Sequence, residues 1–184
     1  MLQQPPLFLR RLIAYIDRIN LVLGYAFCLL LIPLILCNVI EVIMRYGFDK
    51  PTIWAFDTTT MSFGSFFMLG SAYTLLVGAH VRTDMFWDKF SDRTKGIIDF
   101  LSYILLFMPA IAILFSIAYD DFIYSIEINE RSNAGIWRPV VWPLRGAFAL
   151  ATFLLMLQGI SEIIKTGWAA LTGKPLVKHE KIEV

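Results

Sequence analysis

Charged residues along this chain are gathered at intervals, and long blocks between them carry none. Residues 19–40, between Arg18 and Glu41, form an uncharged run of 22. Residues 58–79, between Asp57 and His80, form a second run of 22. Residues 100–119 form a run of 20, and residues 146–161 one of 16. A helix needs about 20 mainly apolar residues to cross a bilayer, within a range of roughly 17–25. The first three runs fit directly. The fourth fits if Arg145 snorkels to the interface and lets Val140, Val141, Trp142 and Leu144 join the span. A charge at a helix centre would cost about 2.5–3.5 kcal/mol on the insertion scale, and all four runs avoid it.

The expected architecture is therefore an all-α polytopic membrane protein with four transmembrane helices, in a single membrane domain over residues 1–184. The spans are placed at about 19–43, 54–79, 97–121 and 140–164, with a mobile tail from about 173 to 184. Asp57 and the threonines after it offer capping oxygens to the second span, Ser91 precedes the third, and Pro139 and Pro143 open the fourth. Pro33 and Pro109 fall inside spans and predict local kinks. The apolar core of the first span is too long for the 7–15 residues of a signal-peptide core, and no small-residue cleavage pattern follows.

Composition agrees with this picture: 58% of residues are hydrophobic and only 17% charged. Soluble domains run near 45–50% and about 25%. The net charge of +1 leaves no basic excess for nucleic acid. With the N-terminus in the cytoplasm, 11 Lys and Arg fall on the cytoplasmic side and 5 on the exported side. That bias predicts both termini inside a bacterial cytoplasmic membrane.

Several residue patterns could carry function. In the second span Gly64, Ser71 and Gly78 recur every seven residues, and Ser65, Ala72 and Ala79 run beside them. Such rows let helices approach closely, either within this chain or against a partner. The segment from Val81 to Phe90 has helical spacing of apolar residues and predicts a short cytoplasmic interfacial helix between the second and third spans, anchored by Phe86, Trp87 and Phe90. A tight loop with belt aromatics is the alternative. Trp137 and Trp142 suit an aromatic belt on the exported side. Glu127, Glu130, Arg131 and Arg138 form a polar exported segment that could dock a soluble protein. Glu41 and Arg45 are spaced for an intrahelical pair. Asp57 suits either an N-cap or a partner contact. Glu162 and Lys165 read as an interfacial pair. The two cysteines, Cys28 and Cys37, lie in one span and show no metal spacing. The histidines, His80 and His179, fall outside the spans, so no haem, metal, cofactor or catalytic site is expected. No ionisable group falls at mid-span, where a carrier acting alone would need one.

Certain stretches resemble a family. Residues 51–57 with Trp54 and Asp57, residues 70–73, and the run Gly78, Ala79, His80, Val81, Arg82, Thr83, Asp84 resemble the small membrane subunit of tripartite ATP-independent periplasmic (TRAP) transporters. So do residues 129–132, Trp137 to Pro139, Trp142 with Pro143, and residues 157–162. The resemblance runs from about residue 21 to residue 173, and His80-Val81-Arg82-x-Asp84 is its most specific part. Asp57 stands where many members carry Glu. The chain looks similar to the branch associated with mannitol or chloroaromatic compounds, whose members handle small organic acids. The resemblance implies an accessory or scaffold subunit of a secondary, sodium-coupled transporter, not an enzyme. It would act with a large multi-span membrane subunit and a periplasmic solute-binding protein. A four-helix scaffold or assembly factor outside transport would share this topology.

Overall fold

The computed structural model describes residues 6–78 and 90–173. These residues are mainly helical: α1 Leu7–Cys28, α2 Leu31–Gly47, α3 Ala55–Leu76, α4 Asp92–Ser102, α5 Met108–Glu127 and α6 Trp142–Thr172. A π-helical turn, Tyr103–Phe107, joins α4 to α5. The segment expected to form the interfacial helix, apart from Phe90, and the tail beyond Gly173 lie outside the described residues.

Three helical stretches are long and apolar enough to cross a membrane: Leu7–Gly47, Arg93–Glu127 and Trp142–Thr172. The helix expected as the second span, α3, is not among them. It is 22 residues long, about 33 Å at 1.5 Å per residue, but nine of those residues are Gly, Ser or Thr. It packs between α1, α2 and α6. Small polar residues thus lower its hydropathy where they bring it close to neighbouring helices.

The helices extend past the uncharged runs. α1 begins at Leu7, twelve residues before the expected start. Ile13, Ile16, Asn20 and Gly24 recur at helical spacing on its buried face, so the bundle, not charge alone, sets its length. α6 continues to Thr172 and ends at Gly173, whose φ of 70° gives a left-handed C-terminal cap.

Both internal prolines leave their expected mark one turn upstream. Pro33 has no N–H to give the Leu29 carbonyl. The chain there turns at Leu29 and Leu30, through bonds from Leu30 N to Phe27 O and Ile32 N to Leu29 O. Pro109 likewise cannot reach residue 105, and the π turn widens the helix so that Met108 N bonds to Tyr103 O.

α6 is the central helix. In its most apolar window 44% of residues are buried inside the protein, against 11% for α1–α2 and none for α4–α5. Glycines on α6 receive aromatic rings from α4, the π turn and α5: Gly146 faces Phe122, Gly159 faces Phe107, and Gly167 faces Phe100. In the reverse direction Gly96 of α4 lies on the backbone of Ala169 and Ala170, where an added Cβ would come to 2.6 Å. On the far side, Gly24 of α1 makes room for Tyr73 of α3. With lipid tails as apolar as Leu, contacts of this kind, and not hydrophobicity, hold membrane helices together.

Candidate functional sites: two buried carboxylate clusters

The first cluster joins α1 to α6. One face of α6 presents Gln158, Ser161, Glu162 and Lys165, at spacings of three and four. All four are buried, together with Asn20 of α1. Asn20 Nδ2 donates to Gln158 Oε1 at 2.8 Å. Gln158 Nε2 donates to Asp17 Oδ1 and to Glu162 Oε1, each at 3.1 Å. Ser161 Oγ donates to Asp17 Oδ1 at 2.8 Å. Lys165 Nζ lies 2.8 Å from both Asp17 Oδ2 and Glu162 Oε1. One ammonium therefore serves two carboxylates, and the amide and hydroxyl groups take up further lone pairs. A buried ion pair is tolerated only with such added hydrogen bonds.

This corrects one expectation. Glu162 and Lys165 are not an interfacial pair, because only 3% and 6% of their surfaces are exposed. Charge is also present inside the bundle. Asp17 escaped notice because it precedes the first uncharged run and reads as a flanking charge. The signal that could have found it is the row 158, 161, 162, 165, four polar residues on one face of an otherwise apolar helix.

The second cluster surrounds Asp57. This residue is the third of α3, with Trp54 at the cap position and no side-chain cap bond. Asp57 is thus neither an N-cap nor an exposed partner contact: it is 1% exposed and accepts a 2.6 Å bond from Ser132 Oγ. Its other oxygen, Oδ2, is buried without a hydrogen-bond partner and lies against Gly135, where a Cβ would collide with it.

Ser132 and Gly135 belong to a hairpin-like connection between α5 and α6. Arg131 and Val140 form an isolated antiparallel bridge. Ser132 N donates to Pro139 O at 2.8 Å, and Val141 N to Glu130 O at 2.9 Å. Asn129 and Arg138 take positive φ to turn the chain. Arg138 bonds Asn133 Oδ1 at 3.0 Å. At the base, Arg145 binds Asp121 at 2.9 Å and Glu130 at 3.3 Å. The Ser125 hydroxyl and the Arg145 guanidinium hold the Glu130 carboxyl below the usual carboxylate range, against the opposing effect of burial. Nearby, Glu41 pairs with Arg45 at 2.9 Å and accepts from the Thr52 backbone at 2.9 Å, which closes the α2–α3 connection.

The remaining candidate residues are distributed as follows. Gly64 faces Leu144 of α6, and Ala72 is buried within the bundle. Ser65 and Ser71 are half-buried, and the Ser71 hydroxyl bonds Met68 O. Gly78 is not on the α3 face at all: it follows the helix with a φ of 70°. Ala79, His80, Val81, Arg82, Asp84, Phe86 and Trp87 lie outside the described residues. Trp54 is half-buried, whereas Phe90, Trp137 and Trp142 are exposed. Of the proposed docking residues, Glu127, Arg131 and Arg138 are exposed, while Glu130 turns inward to Arg145. Among the described residues no group of His, Cys, Asp and Glu could hold a metal ion.

No curated protein and no solved structure matches the chain. Residues 34–166 do match a family described as "Tripartite ATP-independent periplasmic transporters, DctQ component". The match takes in Asp57, the hairpin and the α6 side of the first cluster, but begins after Asp17 and Asn20. It covers well over half of the chain, which therefore belongs to the DctQ family, a membrane component of TRAP transporters.

Proposed function

We propose that this chain is the small scaffold subunit of a sodium-coupled TRAP importer of small organic acids. It lies in a bacterial inner membrane beside a large multi-span subunit and works with a periplasmic solute-binding protein. Four helical segments cross the membrane in this reading, with α3 as the second crossing, sheltered by α1, α2 and α6. Both termini are cytoplasmic, so the hairpin over residues 130–141 faces the periplasm and the Asp17–Lys165 cluster lies toward the cytoplasm.

The observation that carries this reading is the division of faces. Polar groups of α1 and α6 point inward and bind each other. α2 buries only Cys37, and α4–α5 turn large apolar side chains outward. A bundle with its charges locked inside and its outside apolar suits a fixed support against which a neighbour moves. Exposed Arg131 and Arg138 give the hairpin a basic surface for the binding protein.

The test is uptake of a labelled 2-oxo acid or lactate in cells lacking such uptake. The full chain alone should give none, and uptake should require the large subunit and the binder. Uptake by this chain alone would sink the proposal. Ser71 is only half-buried on α3, so Ser71→Ile should weaken co-purification with the large subunit. Unchanged recovery would remove Ser71 from that interface.

A further inference from the structure

A cavity of about 350 Å³ lies along the outer face of α1, lined by Tyr15, Arg18, Ile19, Val22 and Leu23. That volume is within the range of small-ligand sites. Its lining is almost wholly apolar, with the stems of Tyr15 and Arg18 contributing to it. Arg11 continues the same face one turn before Tyr15, since positions 11, 15, 18 and 22 are successive neighbours on a helix. Arg11, Tyr15, Arg18 and Val22 are all exposed. Among the described residues, neither Arg11 nor Arg18 has a hydrogen bond or an ion pair. The one acidic side chain beside Arg18 in sequence, Asp17, turns to α6 instead, where Lys165, Ser161 and Gln158 occupy it.

The order of these residues along α1 has a direction. From Arg18 the chain runs into 22 residues without charge, and before Arg18 it carries Arg10, Arg11 and Asp17. Arg18 therefore stands at the edge of the apolar segment where the groove begins, with Arg11 two turns before it on the same face, and the groove descends along Ile19, Val22 and Leu23. Guanidinium groups bind phosphate oxygens in a planar, two-bond geometry. Basic groups at a helix end with an apolar cleft below them match an anionic phospholipid better than either a free anion or a neutral chain.

We infer that α1 holds one anionic phospholipid, with its headgroup phosphate between Arg11 and Arg18 and an acyl chain along Ile19, Val22 and Leu23. This needs only that α1 meets the bilayer, and it is independent of the transported substrate. The lipid would extend the bundle's anchorage through a helix that precedes the residues matched to the family.

The test uses the full-length chain reconstituted in phosphatidylcholine vesicles, with trace spin-labelled phosphatidylglycerol or spin-labelled phosphatidylcholine. The motionally restricted fraction should favour phosphatidylglycerol by about five-fold or more, the contribution of one basic residue near an anionic headgroup. Arg11→Gln with Arg18→Gln should reduce that preference to below about two-fold. Val22→Trp, which fills the groove without touching charge, should lower the restricted phosphatidylglycerol fraction. Both sites are exposed, so helicity by circular dichroism should be unchanged. Equal association of the two lipids with the unaltered chain would overturn the proposal. So would a preference that survives the double variant, or one indifferent to Val22→Trp, which would indicate diffuse surface attraction. Competition by 50 mM inorganic phosphate would assign the site to a free anion. Loss of preference on co-reconstitution with the large subunit would give the groove to that subunit, and either result would also overturn it.

Discussion

The two buried carboxylate clusters meet the same physical problem in opposite ways. At one end of the bundle Asp17 and Glu162 share a lysine, and the bonding groups come from two helices whose backbones are already fixed. At the other end Asp57 has no cation in contact among the described residues, keeps one oxygen without a hydrogen bond there, and relies on a hydroxyl from a connecting loop. Arg145 and Lys165, which mark the two levels on α6, are 20 residues apart, about 30 Å along a helix. The first arrangement locks α1 to α6. The second ties a loop down onto a helix start, and its unsatisfied oxygen makes it the weaker of the two. A burial penalty met by charge pairing should be sensitive to charge, and one met by close fit should be sensitive to shape.

The largest effect is therefore expected at Lys165. Lys165→Met leaves the buried Glu162 carboxylate and the partly buried Asp17 carboxylate without a cation, and removing one partner of a buried pair costs about 3–5 kcal/mol. Thermal unfolding of the detergent-solubilised chain should show a large drop in midpoint. The triple variant Asp17→Asn, Glu162→Gln, Lys165→Met removes the charges together and should recover most of the loss. A small loss in the single variant, or no recovery in the triple, would show that the lysine does not neutralise the pair.

Shape dominates at the other end. Gly135→Ala puts a methyl group into the Asp57 carboxylate and should cost about 1–3 kcal/mol, the usual range for overpacking. Asp57→Ala removes the Ser132 bond and should cost about 1–3 kcal/mol if the serine is left unsatisfied. Limited proteolysis between residues 130 and 141 reads both, because each frees the hairpin. Asp57→Asn, which keeps the shape and drops the charge, should cost less than either. If Asp57→Asn were the worst of the three, charge would dominate here as well and the contrast between the ends would fail.

The same contrast explains what the amino-acid sequence makes legible. Helix locations follow from where charge is absent, since the cost of burying an unpaired charge is large and local. The prolines announce the break at Leu29–Leu30 and the π turn, because a missing N–H acts on a known carbonyl four residues earlier. The clusters are less legible, because their partners are distant in sequence: Asp17 and Lys165 are 148 residues apart, and Asp57 and Ser132 are 75 apart. Small-residue rows on α3 are visible as a pattern, yet the close glycine contacts lie elsewhere, at Gly24 of α1, Gly135 of the hairpin, and Gly96, Gly146, Gly159 and Gly167 of α4 and α6, without a regular repeat. The positions of the last three follow from where Phe100, Phe107 and Phe122 arrive from the facing helices, and no periodicity within one helix encodes that. Asp57 invites the capping interpretation because a helix start is a local event, whereas the Ser132 bond depends on how a loop two helices later folds back.

A smaller test concerns the hairpin base, where Glu130 stands between the two regimes, partly open to solvent and yet paired. Its folded carboxyl lies below its ordinary value because Ser125 and Arg145 favour the ionised form. A carboxyl depressed on folding contributes stability that is fully present above its unfolded value, near 4.3, and is lost as pH falls through the lower folded value. Protease protection of the hairpin should therefore be flat from pH 7 down to about 5 and weaken below about pH 4. Glu130→Gln should remove that share of the pH response while leaving the Asp57–Ser132 contact in place. Arg145→Gln should shrink it and raise the pH at which protection is lost, because one of the two depressing groups is gone. A response that is identical in Glu130→Gln and the unaltered chain would show that Glu130 does not carry the acid sensitivity of the hairpin.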